Sequence, residues 1–336
     1  MIHPLELGSL TLPTNVICAP LAGCTNLTWR RMLKRFSPGL MFCEMVKMEA
    51  LVRADANTSR ILDYDADMHP IGAQICGSNI QMAATAAKMI EELGFDVIDL
   101  NCGCPVDKVT KDGSGSGLLK YPERIGEILY QMVQAVSIPV TVKIRAGWDD
   151  EIINAPEIVE IAEQAGAKAI AIHGRTRAQG YKGSANRAWI KDCKARANTI
   201  KIYGNGDVFD PESAAAMFEE TGCDGILLAR GTLGRPWIIE DITRALSGLP
   251  AILRTSDHYR SILLEHLNDI ESYHNERKAL IEMRKIGCWY LKKSVGTKAL
   301  RDALNKAQCI QEARAVIESY DWDQTSFAAQ EELTFC

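Results

Sequence analysis

The chain has 336 residues, enough for one large domain and a smaller one, and 47% of them are hydrophobic while 24% are charged. This composition excludes a disordered, collagen-like or fibrous protein. The 38 Lys and Arg residues against 43 Asp and Glu residues give a net charge of -5, without the basic excess typical of a simple nucleic-acid-binding protein.

Short apolar runs alternate with longer amphipathic stretches from about residue 15 onward. Eight of the apolar runs are predicted strands: residues 15–20, 39–44, 71–75, 97–101, 140–145, 169–173, 200–205 and 225–230. Apolar residues three and four apart predict helices at residues 81–93, 122–136, 155–165 and 211–221. Gly94, Gly166 and Gly222 directly follow three of these helices, where a left-handed residue commonly ends a helix. Strands that alternate with helices predict an α/β fold with a parallel sheet.

Eight strand–helix units predict a (β/α)8 TIM barrel over residues 1–248. An open Rossmann-type sheet is the main alternative, and it would carry a GxGxxG turn after its first strand. The first predicted strand instead runs into the sequence APLAG at residues 19–23. The barrel is therefore the favoured fold.

Residues 249–336 predict an all-α helical bundle, because the pattern from residue 258 to 317 is helical and free of proline. Nine basic and two acidic residues between positions 277 and 306 give a local net charge of +7, whereas residues 307–336 carry -5. A solvated helix face is one interpretation of such a charge run. Trp289 and Tyr290 lie among the basic residues, and this mixture favours a surface for a polyanion.

The 11 cysteines include no CxxC pair, so we expect reduced thiols and no metal site. The first ten residues do not resemble a secretory signal, and no apolar run is long enough to cross a bilayer. These features predict a cytoplasmic protein outside the membrane.

In a TIM barrel the active site is built at the carboxyl ends of the strands. Nearly all of the predicted strand ends are polar or carry glycine: Pro20, Glu44, Gln74, Asn101, Lys143 with Arg145, His173 with Arg175, residues 205–207 and residues 229–231. The last two turns follow strands seven and eight, where barrels commonly bind phosphate through backbone N–H groups. Glycines that merely permit a tight turn are the alternative, but Arg230 beside them favours phosphate.

The sequence NCGCP at residues 101–105 is the most distinctive strand end. An ordinary thiol is protonated at neutral pH, so a cysteine in this loop can act as an acid. A cysteine is also a small buried hydrophobe in many proteins, and Cys102 fits that reading. Zinc binding would need two further ligands, for which the sequence offers no convincing set.

Six ordered segments carry a family resemblance: residues 19–23 (APLAG), 99–105 (DLNCGCP), 142–148 (VKIRAGW), 172–177 (IHGRTR), 204–207 (GNGD) and 229–231 (ARG). Together they closely resemble the signature segments of the bacterial tRNA-dihydrouridine synthases. The resemblance implies an FMN-dependent reduction of the C5=C6 bond of uridine in tRNA, with NADPH as reductant. It also implies that Cys104 protonates C5 after hydride passes from flavin N5 to C6, and that Asn101 bonds the uracil edge.

The resemblance assigns the other strand-end residues to cofactor and substrate. It implies that Pro20, Leu21 and Ala22 cradle the flavin ring through their backbone, while Gln74 and Lys143 bond its polar edge. His173 would contact cofactor or substrate, and the phosphate would be held by Asn205, Gly206, Asp207, Ala229 and Arg230. Arg145 and Arg175 would face the target nucleotide.

For residues 249–336 the resemblance implies tRNA binding, which we assign to Arg284, Lys285, Lys292 and Lys293. We expect the protein to be a monomer that binds no metal. A small-molecule flavin oxidoreductase of the dihydroorotate dehydrogenase or ene-reductase type is the rival enzyme, but it needs neither a basic tail nor the NCGCP loop. A tRNA-binding protein without catalysis is the other alternative, and the presence of Cys104, Lys143 and His173 argues against it.

Overall fold

Eight parallel strands close into a barrel within residues 1–292 and 294–325, the part of the chain that the computed structural model describes. The strands in chain order are β1 Leu5–Leu7, β2 Leu10–Leu12, β3 Val16–Cys18, β4 Leu40–Phe42, β5 Val46–Lys47, β6 Ile71–Cys76, β7 Val97–Cys102, β8 Val140–Arg145, β9 Ala169–His173, β10 Lys201–Asn205 and β11 Gly225–Leu228. The barrel runs β3-β4-β6-β7-β8-β9-β10-β11 and closes through the pairing of β11 with β3. The eight predicted strands and the TIM-barrel prediction are confirmed, and closure excludes the open sheet.

The hairpin of β1 and β2 precedes the barrel and was not predicted. Leu5, Leu7 and Leu12 are buried against residues at the starts of barrel strands, such as Leu40 and Val97. The hairpin therefore seals the amino-terminal end of the barrel with apolar side chains. A ligand reaches the barrel interior from the opposite end.

The barrel helices pack on the outside of the sheet. They are α1 Leu27–Lys34, α2 Met48–Val52, α3 Ala56–Ile61, α4 Ile80–Glu92, α5 Asp107–Thr110, α6 Pro122–Ala135, α7 Ala155–Gln164, α8 Arg187–Arg196, α9 Pro211–Thr221 and α10 Ile238–Leu246. The four predicted helices correspond to α4, α6, α7 and α9. Gly94, Gly166 and Gly222 have φ of +85°, +93° and +66°, so the predicted left-handed helix ends are confirmed.

The carboxyl-terminal region is helical as predicted, with α11 Ser256–Tyr273, α12 Glu276–Leu291, α13 Lys298–Lys306 and α14 Ile310–Ser319. It meets the barrel through aromatic side chains, because the Trp29 ring lies 5.3 Å from His266 and 5.5 Å from Trp289 between centroids. The predicted domain boundary at residues 248 and 249 falls in the connection between α10 and α11. Within the described residues, none of these helices is long and apolar enough to span a membrane.

Candidate active site

Strand register brings the predicted polar residues together at the carboxyl end of the barrel. Asn101 on β7 lies beside Lys143 on β8, and His173 on β9 lies beside Arg145 and Asn205 on its two neighbouring strands. These positions share one mouth because neighbouring parallel strands end at the same edge. The structure therefore brings together, at one end of the barrel, the candidate site residues that follow separate strands in the sequence.

The loop that carries Cys104 is held by hydrogen bonds on both sides of its peptide. Asn101 Oδ1 accepts bonds from the N–H groups of Gly103 at 3.2 Å and Cys104 at 2.9 Å. Ser116 donates to the Cys104 carbonyl through its N–H at 3.1 Å and its hydroxyl at 2.9 Å. Cys104 is half-buried, so its thiol lies on a fixed backbone with access to the mouth.

Cys102 lies two residues earlier and has a different environment. Its side chain is fully buried in the apolar core, where burial raises the pKa of its thiol. The alternation of strand residues turns it away from the barrel interior. The predicted contrast between a packing cysteine and a candidate acid thus matches the burial of Cys102 and Cys104.

Lys143 reaches the mouth from β8 and is half-buried. Burial, with a smaller contribution from Arg145, lowers the pKa of its ammonium to about 8, although Asp99 opposes this shift. None of the described residues accepts a hydrogen bond from Lys143. The cavity beneath it is about 10 Å³, room for a single water at most, and is lined by residues that include Phe42 and Tyr203.

Basic side chains surround His173 at the mouth. Burial first, and then the positive charges of Lys143, Arg145, Arg175 and Arg230, hold the pKa of His173 well below its usual range. His173 is therefore neutral at pH 7. Such a concentration of positive charge in a concave site attracts an anionic ligand.

Arg145 and Arg175 were predicted to face a nucleotide, and the structure gives both guanidinium groups protein partners. Arg145 is buried and donates to the carbonyls of Gly103 at 2.9 Å, Thr176 at 2.9 Å and Gly180 at 2.8 Å. It thereby links the Cys104 loop to the loop after β9. Arg175 is buried too and makes two bonds, of 2.8 and 2.7 Å, to the Asp207 carboxylate. A contact of either residue with a nucleotide stays a prediction.

The turn at residues 205–207 is shaped by its own side chains. Asn205 Nδ2 donates to the Leu227 carbonyl at 2.7 Å, and the Asp207 carboxylate accepts further bonds from Arg230 at 3.2 Å and the Ala185 N–H at 2.7 Å. Gly206 has φ of +126°, and a Cβ there would lie 2.6 Å from Ala185 Cβ. The Asp207 side chain is thus held by two arginines and a backbone N–H group, and phosphate binding at this turn stays a prediction.

The loop after β3 contains Pro20, Leu21 and Ala22 and borders the same mouth. The Leu21 N–H donates to Thr25 Oγ1 at 2.9 Å, and the Gly23 N–H donates to Glu44 at 2.5 Å. Burial raises the pKa of Glu44. The loop conformation is therefore fixed by a barrel carboxylate as well as by its own turn.

Two of the predicted tRNA-binding residues make contacts within the protein. Lys285 Nζ lies 3.0 Å from the Gly23 carbonyl and 3.0 Å from Glu282, while Arg284 Nη2 donates to the Ala307 carbonyl at 2.6 Å. Lys292 is exposed at the end of α12, and Lys293 lies outside the described residues. Lys285 therefore connects the helical region to the barrel mouth.

Sequence reasoning missed Asp99, Thr141 and Ser116 as parts of the site. Asp99 Oδ1 accepts a bond from Thr141 at 2.6 Å, and Oδ2 accepts one from Gln74 at 2.7 Å. The sequence did contain a signal for two of them. Asp99 and Thr141 each lie two residues before a predicted site residue, so each shares that residue's side of the strand. Within the described residues, no group of three or more potential ligands is arranged to hold a metal.

Comparisons with known proteins agree with these features. The family model described as dihydrouridine synthase (Dus) matches residues 17–326. The probable tRNA-dihydrouridine synthase 1 of Synechocystis is 38% identical over 317 residues, covering 94% of this chain and 88% of the relative. The tRNA-dihydrouridine synthase B of Pseudomonas putida is 39% identical over 313 residues, covering 91% and 92%. A morphinone reductase variant in complex with tetrahydroNAD shares the fold, with a TM-score of 0.54, 14% identity and coverage of 76% of this chain and 93% of that one.

Proposed function

The chain belongs to the dihydrouridine synthase family, and on that premise we propose that it reduces the C5=C6 bond of uridines in tRNA with a bound flavin. The observation that carries the proposal is the juxtaposition of the fixed Cys104 loop with Lys143 and the basic cluster in one barrel mouth. Such a mouth offers a proton donor, a cation and an anion site together. These are the groups that reduction of an electron-poor ring requires.

The residues of the mouth fit a flavin, which we propose to be FMN. Lys143 has an ammonium without a hydrogen-bond acceptor among the described residues, which suits the electron-rich edge of the ring. The positive surroundings of His173 and the backbone at residues 205–207 and 229–231 suit the phosphate. Gln74 would bond the ring edge, and Pro20, Leu21 and Ala22 would line its face. When bound, the flavin supplies the hydride that C6 receives, and NADPH is the proposed reductant.

The protein's own contribution to the reaction is the proton. We assign Cys104 as the acid that protonates C5, because its thiol is accessible while its peptide is held by Asn101 and Ser116. Lys143 would stabilise negative charge nearby as a cation below pH 8. Neutral His173 remains a hydrogen-bonding group toward cofactor or substrate.

The helical region, proposed as a domain of residues 249–336, would bind the RNA. Exposed basic residues lie on α12 and α13: Arg277, Lys278, Lys292, Lys298 and Lys306. A uridine stacked in folded RNA must be extruded to reach the mouth, so recognition would rest on RNA shape and phosphate contacts. The remaining residues 1–248 would form the catalytic domain of a cytoplasmic monomer.

A substrate comparison tests the proposal. The purified protein is incubated in three separate assays: with NADPH and unmodified tRNA, with NADPH and a simple enone, and, without NADPH, with dihydroorotate and an oxidant. We expect tRNA to stimulate NADPH oxidation while the small molecules do not react. Turnover of a small molecule without a response to tRNA would instead favour the dihydroorotate dehydrogenase or ene-reductase alternative. A colourless protein inactive in every assay would favour a binding protein without catalysis.

A further inference from the structure

A chain of side-chain hydrogen bonds connects the interior of the barrel to the Cys104 loop. It begins at Asp99, which is 4% exposed and lies between Gln74 on β6 and Thr141 on β8. Gln74 Nε2 donates to Asp99 Oδ2 at 2.7 Å, and Asn101 Nδ2 donates to Gln74 Oε1 at 2.8 Å. Asn101 Oδ1 then accepts the N–H of Cys104 at 2.9 Å. Two buried side chains, those of Gln74 and Asn101, thus separate the carboxylate from the candidate acid.

The chain has a direction because an ionised carboxylate can only accept hydrogen bonds. Asp99 forces the Gln74 amide to present its NH₂ group inward, which leaves Oε1 facing Asn101. Asn101 must then present its own NH₂ group to Gln74. As a result Asn101 Oδ1 faces the backbone N–H groups of Gly103 and Cys104 and accepts their hydrogen bonds. If the Asn101 amide were reversed, its NH₂ group would face these N–H groups, and no hydrogen bond could form.

The charge state of Asp99 is compatible with this direction. Burial raises the pKa of Asp99 to about 6, while the bonds from Gln74 and Thr141 and the charge of Lys143 work against that rise. The carboxylate is therefore mainly ionised at neutral pH. Lys143 is the basic group that lies near it on β8, and Phe42 and Tyr203 are among the other residues that line the same small cavity.

We propose that Asp99 is a positioning residue, whose carboxylate orients the Gln74 and Asn101 amides and thereby fixes the backbone that presents the Cys104 thiol. The inference rests on the proposed role of Cys104 for its functional meaning. The hydrogen bonds that the inference explains are present in the protein without substrate. Since Gln74 is also a proposed flavin ligand, the same carboxylate would set the amide orientation at the cofactor and at the acid.

Thr141 provides the matched control. It donates to the other oxygen of the same carboxylate at 2.6 Å. Within the described residues, no hydrogen bond of the Thr141 side chain leads to the Cys104 loop. Thr141→Val therefore removes a buried bond of Asp99 with similar local disturbance. It leaves the path through Gln74 and Asn101 intact.

Hydrogen–deuterium exchange at single-residue resolution tests the proposal on the full-length protein without RNA. In Asp99→Leu we expect the amides of Gly103 and Cys104 to exchange at least about tenfold faster, while amides within β7 such as Leu100 keep their rates. Thr141→Val should change the Gly103 and Cys104 rates by less than about twofold. Asp99→Asn, which keeps the side-chain volume, should give a smaller acceleration of about threefold, because its amide can present either group to Gln74.

Unchanged exchange at Gly103 and Cys104 in a folded Asp99 variant would overturn the proposal. Equal acceleration throughout β7 would overturn it as well, because that result would mean general loosening of the barrel. If Asp99→Leu fails to fold, Asp99→Asn is compared with Thr141→Val. The proposal then requires that the amides of Gly103 and Cys104 exchange faster in Asp99→Asn than in Thr141→Val. This readout requires neither tRNA nor turnover, so failure of the proposed function and failure of the positioning role give different results.

Discussion

Cys104 occupies a loop whose geometry depends on bonds to its backbone and not on its own side chain. Asn101 and Ser116 fix the two sides of the peptide, and Arg145 fixes the neighbouring Gly103 carbonyl. The thiol is therefore free to act chemically without affecting the loop. Under the proposed mechanism, chemistry and positioning are carried by different residues, so substitutions can separate them.

Cys104→Ala should keep the fold and the flavin but lose tRNA turnover. The Asn101 and Ser116 bonds reach backbone atoms, so they survive the substitution, whereas loss of a general acid typically costs on the order of 10² to 10⁴ in rate. Flavin absorbance and tRNA-dependent NADPH oxidation measure the two properties. Cys102→Ala is the control: it should retain turnover, because its thiol is buried. Full activity in Cys104→Ala would remove Cys104 from the mechanism.

We expect Lys143 to make the flavin-free protein less stable in a pH-dependent manner. Its folded pKa of about 8 lies below the ordinary 10.5, so the cost of its buried charge is fully present below pH 8 and disappears above 10.5. Lys143→Met should raise stability at pH 7, by on the order of 3 kcal/mol at most, and the gain should shrink as the pH rises from 8. Thermal unfolding of the flavin-free protein at pH 7 and 9.5 checks this, with the exposed Lys88→Met as control. A gain that is independent of pH would contradict it.

The positions of the site residues could be predicted from the sequence, whereas their hydrogen-bond partners could not. Strand ends converge in any parallel barrel, so Lys143 and His173 could be placed in one mouth. The sequence does not reveal which carbonyls lie near Arg145, so its bonds to Gly103 and to the loop after β9 could not be predicted. Asp207 likewise pairs with Arg175 through a contact across two strand ends, which no local pattern encodes.

Among the elements, helix α12 packs against the rest of the protein on one side and presents basic residues to solvent on the other. Its buried side places Trp289 and Tyr290 against Trp29, with ring centroids 5.5 and 6.0 Å away. Its exposed side begins with Arg277 and Lys278. Apolar periodicity predicted α4, α6, α7 and α9 individually, whereas α12 was predicted only as part of a helical stretch over residues 258–317. The other barrel helices, α1, α2, α3, α5, α8 and α10, were not predicted, and neither was the hairpin. In α8 charged residues dilute the apolar stripe, and the strands of the hairpin have three residues each.

Charge reversal on this helix should weaken tRNA binding. Arg277→Glu with Lys278→Glu places two negative charges where phosphates are proposed to bind. For each phosphate contact that is lost, the slope of log K against the logarithm of the salt concentration should become less steep by roughly 0.7 to 0.9. Binding measured at several salt concentrations checks this. Lys88→Glu with Lys191→Glu is the charge-matched control on the barrel helices α4 and α8, and it should bind normally. Equal effects of the two pairs would contradict an RNA surface on α12.

At the scale of the whole molecule, the net charge of -5 conceals an uneven distribution of charge along the chain. The basic excess between residues 277 and 306 is cancelled by acidic residues elsewhere in the chain. The two regions are joined by the aromatic seam of Trp29, His266, Trp289 and Tyr290 and by the contact of Lys285 with Gly23. These contacts place the helical region, for which we propose RNA binding, against the loop after β3 that borders the barrel mouth.

Trp29→Ala should therefore destabilise barrel and helical region together. Trp29 is fully buried, and truncation of such a residue typically costs about 3 to 5 kcal/mol. Urea unfolding followed by circular dichroism and by fluorescence should shift in both signals to the same lower midpoint. Tyr130→Ala, at a side chain that is 52% exposed, should shift the midpoint little. Two separated transitions would contradict a seam that couples the regions.

The most direct measurement is mass spectrometry of unmodified tRNA after incubation with the purified protein, flavin and NADPH. The tRNA is digested to nucleosides and to oligonucleotides that locate the change. The expected result is a gain of two hydrogens at defined uridines, absent with Cys104→Ala and present with Cys102→Ala. Uridines that stay unmodified while the flavin is bound and reduced would contradict the assignment of this barrel mouth to tRNA.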